Sequence, residues 1–259
     1  GMTTDTLNIG SDNIFVALKG EKVNANVFAA QALQQSAPDA IVDQITDNGW
    51  VEKFCERLIV VKDVLSTLQQ LAGYHRRQLK CPVLAITGSN GKTTTKELIA
   101  AVLSEKFKVY ATKGNLNNHI GIPLTLLAIK SDAEFAVIEM GANHQGEIAS
   151  YCAYVNPDYG LITNVGLAHT EGFGGFEGVV KGKTELYRYL AAHGGKVFVS
   201  ADNKILMEKS TGIKERITYG TTADAFCSGT IEGYGDFLSI SVEDGKPVSI
   251  DTNLDRSEE

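Results

Sequence analysis

Apolar and polar positions divide the chain into two regimes. Up to residue 80, short apolar runs alternate with one-sided helical patterns. Ile14-Phe15-Val16-Ala17-Leu18 is an apolar run closed by Lys19-Gly20, which predicts a strand and a turn. Residues 27–35 read as a helix, and residues 40–42 and 58–61 as strands. Val64, Leu65, Leu68, Leu71 and Ala72 recur at helical spacing, predicting a helix over 64–79. The polar tail Tyr74-His75-Arg76-Arg77-Gln78 leads to Pro82, and the pattern puts a domain boundary near Lys80.

From Pro82 onward the alternation lengthens. Strands are predicted at 83–87, 109–112, 135–139, 160–164 and 196–200, and helices at 92–105, 123–129, 145–154 and 177–192. Strands separated by helices imply a mostly parallel sheet covered on both faces. Beyond Ile217, short strands and glycine-rich turns such as Phe237-Leu238-Ser239-Ile240-Ser241-Val242 suggest an antiparallel edge. The charged tail from Asp255 to Glu259 is expected to be disordered. The fold class is therefore α/β: a small N-terminal α/β domain over 1–80, then a phosphate-loop-type domain over 81–259.

Composition narrows the function. The 259 residues carry a net charge of -7, which argues against a broad nucleic-acid surface. A small anion is still accessible, because a few backbone N–H groups and one lysine bind phosphate locally. No apolar run approaches the roughly 18 residues of a membrane span. Cys55, Cys81, Cys152 and Cys227 form no CxxC pair. They are expected to be reduced, mostly buried thiols of a cytoplasmic protein. Gly1 before Met2 reads as a residue left by tag cleavage.

One segment carries chemistry outright: Ala85-Ile86-Thr87-Gly88-Ser89-Asn90-Gly91-Lys92-Thr93-Thr94. An apolar strand enters a glycine-containing turn and a helix follows at once. Gly88 and Gly91 permit backbone shapes that a Cβ blocks. The N–H groups of the turn and of the helix start then point at an anion. Lys92 is expected on the β- and γ-phosphates of a nucleotide, with the Thr93 hydroxyl on Mg²⁺. Ile86 occupies the position of the first glycine of a full GxxxxGK[ST] loop, so this is a shorter GxxGKT form. Without a ligand it would be a plain strand-to-helix turn. A dinucleotide-binding turn is disfavoured, because GxGxxG is absent.

Further blocks follow in order: Gly114-Asn115-Leu116-Asn117-Asn118-His119-Ile120-Gly121-Ile122-Pro123, Ile138-Glu139-Met140-Gly141-Ala142-Asn143-His144-Gln145-Gly146-Glu147-Ile148, His169-Thr170-Glu171-Gly172-Phe173-Gly174 and Lys181-Gly182-Lys183-Thr184-Glu185. Together with the loop, over about 83–203, they resemble the Mur ligase family of ATP-dependent cell-wall amide ligases. Glu139 ends an apolar strand, a good place for a carboxylate on Mg²⁺ in an open α/β sheet. His169 follows another strand and emerges at the same edge; alone it would read as a surface residue.

The resemblance implies ATP and Mg²⁺ as cofactors, the metal being held by Thr93, Glu139, His169 and a carbamylated Lys183. Lys92, Lys183 and His169 are the implied catalytic residues. Gly88, Ser89, Asn90, Gly91, Lys92, Thr93, Thr94, Asn117, Asn118 and Asn203 are the implied nucleotide contacts. Lys181 competes with Lys183 for the carbamylated position. Asp202-Asn203 resembles the family's adenine-contacting segment, although Ser200 replaces its usual Asn. Thr4-Asp5-Thr6 with Phe15-Val16-Ala17-Leu18-Lys19-Gly20 resembles the uridine-nucleotide domain, although Leu7 stands where the family has Arg.

The implied reaction joins D-alanyl-D-alanine to a UDP-N-acetylmuramoyl-tripeptide through an acyl phosphate, in peptidoglycan precursor synthesis. A monomer is expected. The family's third, Rossmann-like domain has no counterpart here and the N-terminal match starts late, so 259 residues alone are not expected to ligate. Three rivals stay open: another ligase of the superfamily, a P-loop NTPase or kinase, and a non-catalytic nucleotide-binding remnant.

Overall fold

The computed structural model describes residues 1–6, 9–20, 23–45, 49, 51–234, 238–244 and 246–251. Leu7, Phe237 and the tail 255–259 lie outside them. The first sheet has four parallel strands in chain order: β1 (Met2–Thr3), β2 (Ile14–Val16), β3 (Ala40–Val42) and β4 (Leu58–Val60). A 3-10 turn (Ala25–Phe28) leads into α1 (Ala29–Gln35), so the helix expected from residue 27 begins slightly later. A short α2 (Val51–Phe54) precedes β4, and α3 (Val64–Gln78) leaves it. Asp63 caps α3 by accepting from the Ser66 N–H, the usual role of Asp at that position.

The second sheet has nine strands: β5 (Val83–Thr87), β6 (Val109–Ala111), β7 (Phe135–Glu139), β8 (Tyr159–Ile162), β9 (Lys196–Ser200), β10 (Glu215–Gly220), β11 (Cys227–Tyr234), β12 (Leu238–Asp244) and β13 (Lys246–Asp251). Their order is β13-β12-β11-β10-β9-β8-β5-β7-β6. The helices are α4 (Lys92–Ser104), α5 (Gly121–Ala128), α6 (Glu147–Val155), α7 (Thr170–Phe173), α8 (Phe176–Lys183), α9 (Glu185–His193) and α10 (Lys204–Lys209). β5 sits between β7 and β8, all parallel. The loops leaving these three strands therefore meet at one edge.

Period-two alternation divides the sheet's apolar side chains between its faces. Val83, Ala85, Ala136 and Ile138 enter a core with α5, α6 and α9 residues such as Ile122, Cys152 and Leu190. Leu84, Ile86 and Val137 face Ile99 and Leu103 of α4.

Two expectations need correction. The helix predicted over 177–192 is two helices, broken at Thr184. Thr184 leaves the helical backbone (φ -75°, ψ 1°), while its N–H (3.0 Å) and hydroxyl (2.8 Å) both donate to the Val180 carbonyl. The antiparallel edge begins at β11, one strand later than expected, because β10 pairs parallel with β9 over five residue pairs from Glu215↔Lys196 to Tyr219↔Ser200.

Helix α3 joins the sheets. Val64 and Leu68 share a cluster with Val16 and Ile41 on one side and Leu124 and Leu127 of α5 on the other. At its far end, buried Arg76 donates to the carbonyls of Val155 (3.0 Å) and Asn156 (3.0 Å) and to Asp158 (2.8 Å). Asp158 also accepts from the Val83 N–H (2.8 Å), tying the helix to the first residue of β5. Cys81 and Cys152 are buried, Cys55 is exposed, and Cys227 is half-buried; none is disulfide-bonded. Among the described residues, no helix is long and apolar enough to cross a membrane.

Candidate active site

The loop between β5 and α4 is held from the segment that leaves the neighbouring strand β8. The Ser89 N–H donates to the Asn164 carbonyl (3.1 Å) and the Asn90 N–H to the Asn164 side chain (3.1 Å). The Thr163 hydroxyl donates to the Asn90 carbonyl (2.6 Å). Gly88 has φ +149°, and a Cβ there would strike the Thr163 hydroxyl. Gly91 starts α4 with φ +73° and without a side-chain cap. The first-turn N–H groups of Lys92, Thr93 and Thr94 thus lack intrahelical acceptors. These amides suit an anion, whereas those of Ser89 and Asn90 are engaged within the protein. The Lys92 ammonium folds back onto the carbonyls of Gly88 (3.0 Å) and Ser89 (3.2 Å). Burial lowers its pKa, and Glu139 opposes that shift.

Glu139 ends β7 fully buried. The Thr93 hydroxyl approaches its two oxygens at 3.2 and 3.1 Å, and the Asn117 amide donates to Oε1 (2.7 Å). Its own N–H donates to the Thr112 hydroxyl (2.9 Å). A hydroxyl and a carboxylate oxygen, side by side next to an anion-binding helix start, suit a hard cation such as Mg²⁺. The donor pair fits the metal that the phosphate loop implies.

His169 and Lys183 are not gathered into that pair. Among the described residues, no group of three or more His, Cys, Asp and Glu side chains could hold a metal ion. His169 is exposed, in the left-handed conformation (φ +56°) at the start of α7. It lines a cavity of about 310 Å³ together with Lys92, Asn117, Asn118, Ala142 and Glu147. Lys183 is buried behind that wall. Its ammonium donates to the Ala142 carbonyl (3.0 Å) and lies 5.1 Å from the centre of the Phe173 ring. Burial and then the Lys92 charge push its pKa down to about 8, against Glu147 and Glu185. Lys181, its competitor in the sequence, is exposed.

Outside the loop, three asparagines expected on the nucleotide also have jobs within the protein. Asn117 steadies Glu139. The Asn118 side-chain oxygen accepts from the N–H groups of Ile120 (3.0 Å) and Gly121 (2.8 Å) at the start of α5. Asn203 caps α10 through the Leu206 N–H (3.1 Å). These are the ordinary turn and capping uses of Asn. Sequence reasoning missed Thr112 and Lys96, whose side chains surround Glu139 from the strand and helix beside it. The only available signal for Lys96 was its position four residues, about one turn, after Lys92.

A parallel sheet with a GxxGKT loop and an acid on the adjacent strand defines a phosphate-loop nucleotide-binding domain. Residues 86–254 match the model of the Mur ligase middle domain, and the chain belongs to the Mur ligase family. It is 37% identical over 221 residues to the UDP-N-acetylmuramoyl-tripeptide–D-alanyl-D-alanine ligase of Bacillus subtilis (strain 168), covering 85% of this chain and 47% of that protein. The ligase of the same name from Escherichia coli (strain K12) is 42% identical over 202 residues, or 78% of this chain and 43% of that protein. The chain thus spans about half the length of the curated relatives it matches. MurF from Acinetobacter baumannii superposes with a TM-score of 0.86 at 32% identity, over 99% of this chain and 56% of that one. MurF ligase from Thermotoga maritima, solved in complex with ADP, gives 0.84 at 26% identity over 96% and 57%.

Proposed function

We propose that this site binds ATP and activates the peptide carboxylate of a UDP-N-acetylmuramoyl-tripeptide for amide ligation to D-alanyl-D-alanine, in a cytoplasmic monomer. The observation that carries the reading is the Thr93–Glu139 pair beside Lys92 at one sheet edge. The names of the relatives supply the substrates.

The chemical problem is charge. ATP and a carboxylate are both anions and have to meet. The free first-turn amides of α4 cradle the phosphates. Lys92 exchanges two neutral carbonyl partners for phosphate oxygens and compensates developing charge on the transferred group. Mg²⁺, when held by Thr93 and Glu139, adds charge neutralisation at the phosphates. The carboxylate oxygen attacks the γ-phosphorus, the bond to the β-phosphate oxygen breaks, and ADP leaves. The free amine then attacks the acyl carbon. Phosphate leaves with the electron pair of the broken C–O bond, and the nitrogen loses a proton.

Lys183 is proposed to carry a carbamate. Its nitrogen would keep one N–H for the Ala142 carbonyl after losing the others, and a carbamate oxygen suits a hard cation as an ammonium does not. His169, on the cavity rim, would approach the same ion.

Calorimetric titration with Mg²⁺ and a non-hydrolysable ATP analogue tests the core of this reading. Binding is expected in the wild type and is lost in Lys92→Ala. Binding that survives unchanged in Lys92→Ala would refute the loop's role. Phosphate release from ATP that ignores added UDP-N-acetylmuramoyl-tripeptide would refute carboxylate activation and leave a simple NTPase.

A further inference from the structure

Helix α4 buries one residue fully, and that residue is a lysine. The Lys96 side chain is 0% exposed and the Glu139 side chain 1%. The Lys96 ammonium donates to the Thr112 carbonyl (2.6 Å), lies 2.8 Å from Glu97 Oε1 and 3.9 Å from Glu139 Oε2. Thr112 in turn accepts the Glu139 N–H on its hydroxyl. A buried ammonium has to be compensated by a buried or nearby anion. Here its charge is divided between an exposed carboxylate on its own helix and the acid at the metal position.

We propose that Lys96 is the resident counter-cation of Glu139 and weakens the hold of this acid on a divalent cation until a nucleotide arrives. The inference rests on reading Thr93 and Glu139 as metal ligands. A fixed positive charge about 4 Å from one carboxylate oxygen opposes a bare divalent cation at the other. Nucleotide phosphates bring several negative charges to the same place and outweigh one lysine. The site then accepts the metal with its nucleotide and resists the metal alone. A purely structural lysine would act with the opposite sign: its loss would loosen Thr112 and Glu139 and weaken metal binding.

Titration of the full chain with Mn²⁺ alone, followed by electron paramagnetic resonance, separates these. Lys96→Met removes the charge at nearly constant length and is expected to tighten Mn²⁺ binding about tenfold. Lys96→Arg is expected to match the wild type. Glu97→Gln frees the ammonium to compensate Glu139 more fully and weakens Mn²⁺ binding about threefold. Because Glu97 is a surface residue, that variant decides the matter if Lys96→Met does not fold. Unchanged or weaker binding in folded Lys96→Met, or unchanged binding in Glu97→Gln, overturns the counter-cation. In either case, loss of Mn²⁺ in Glu139→Gln leaves the metal reading standing. Mn²⁺ binding indifferent to Glu139→Gln overturns both.

Discussion

Gly88 cannot carry a side chain: its φ of +149° suits glycine, and Thr163 occupies the place of a Cβ. Gly88→Ala is expected to lose about 1–3 kcal/mol in urea unfolding, and to lose nucleotide binding in the same titration that tests Lys92. Full binding by a destabilised variant would mean that the loop tolerates a shifted strand. Lys183 gives a second test. Its folded-state pKa of about 8 makes the free amine, the form that attacks CO₂, abundant only as pH approaches that value. A carbon-13 carbamate signal from labelled bicarbonate is expected to grow from pH 6 to pH 8 and to vanish in Lys183→Arg. No signal at pH 8 would remove the carbamate from the mechanism. Single residues were the least legible part of the sequence. The family blocks point to Asn117, but no local pattern distinguishes an amide that touches a ligand from one that steadies Glu139. Lys96 looks like any solvated helix lysine until the fold turns it inward.

Helix α6 begins under two carboxylates. Glu185 accepts from the N–H groups of Gly146 (2.6 Å) and Ala149 (2.9 Å), and Glu147 from those of Asn143 (2.6 Å) and His144 (3.0 Å). Burial alone would raise the Glu147 pKa, but the His144 and Asn143 N–H bonds outweigh it and hold the carboxyl below its usual range. A depressed carboxylate stabilises the fold above its unfolded-state pKa and stops doing so as pH falls through its folded value. Glu147→Gln is therefore expected to cost about 0.5–1 kcal/mol at pH 7, with its unfolding curve merging with the wild type in strong acid. A constant difference at every pH would contradict this. Elements were far more legible than residues. β5, β7 and β9 match the predicted ranges residue for residue, because strands inside a parallel sheet read as short apolar runs ended by polar residues. The 177–192 pattern failed because helical periodicity runs on through Thr184 while the backbone does not.

At the scale of the molecule, alternation of strands and helices was enough to place Glu139 and His169 at one sheet edge. Strand order was not readable, since neighbours such as β5 and β8 are far apart in sequence. Nor was the double allegiance of α3, whose Leu68 packs against both Val16 and α5 residues. A helix shared in this way couples the two sheets mechanically. The loop around Gly88 has a kinetic counterpart. Its backbone is already fastened to Thr163 and Asn164, so nothing larger than the Lys92 side chain has to move when a nucleotide enters. Side-chain rotations of that kind finish within nanoseconds. In stopped-flow mixing with a fluorescent ATP analogue, the observed rate should climb in proportion to analogue concentration. A rate that levels off would mean that a slower ordering step precedes capture, and that the loop is assembled by its ligand.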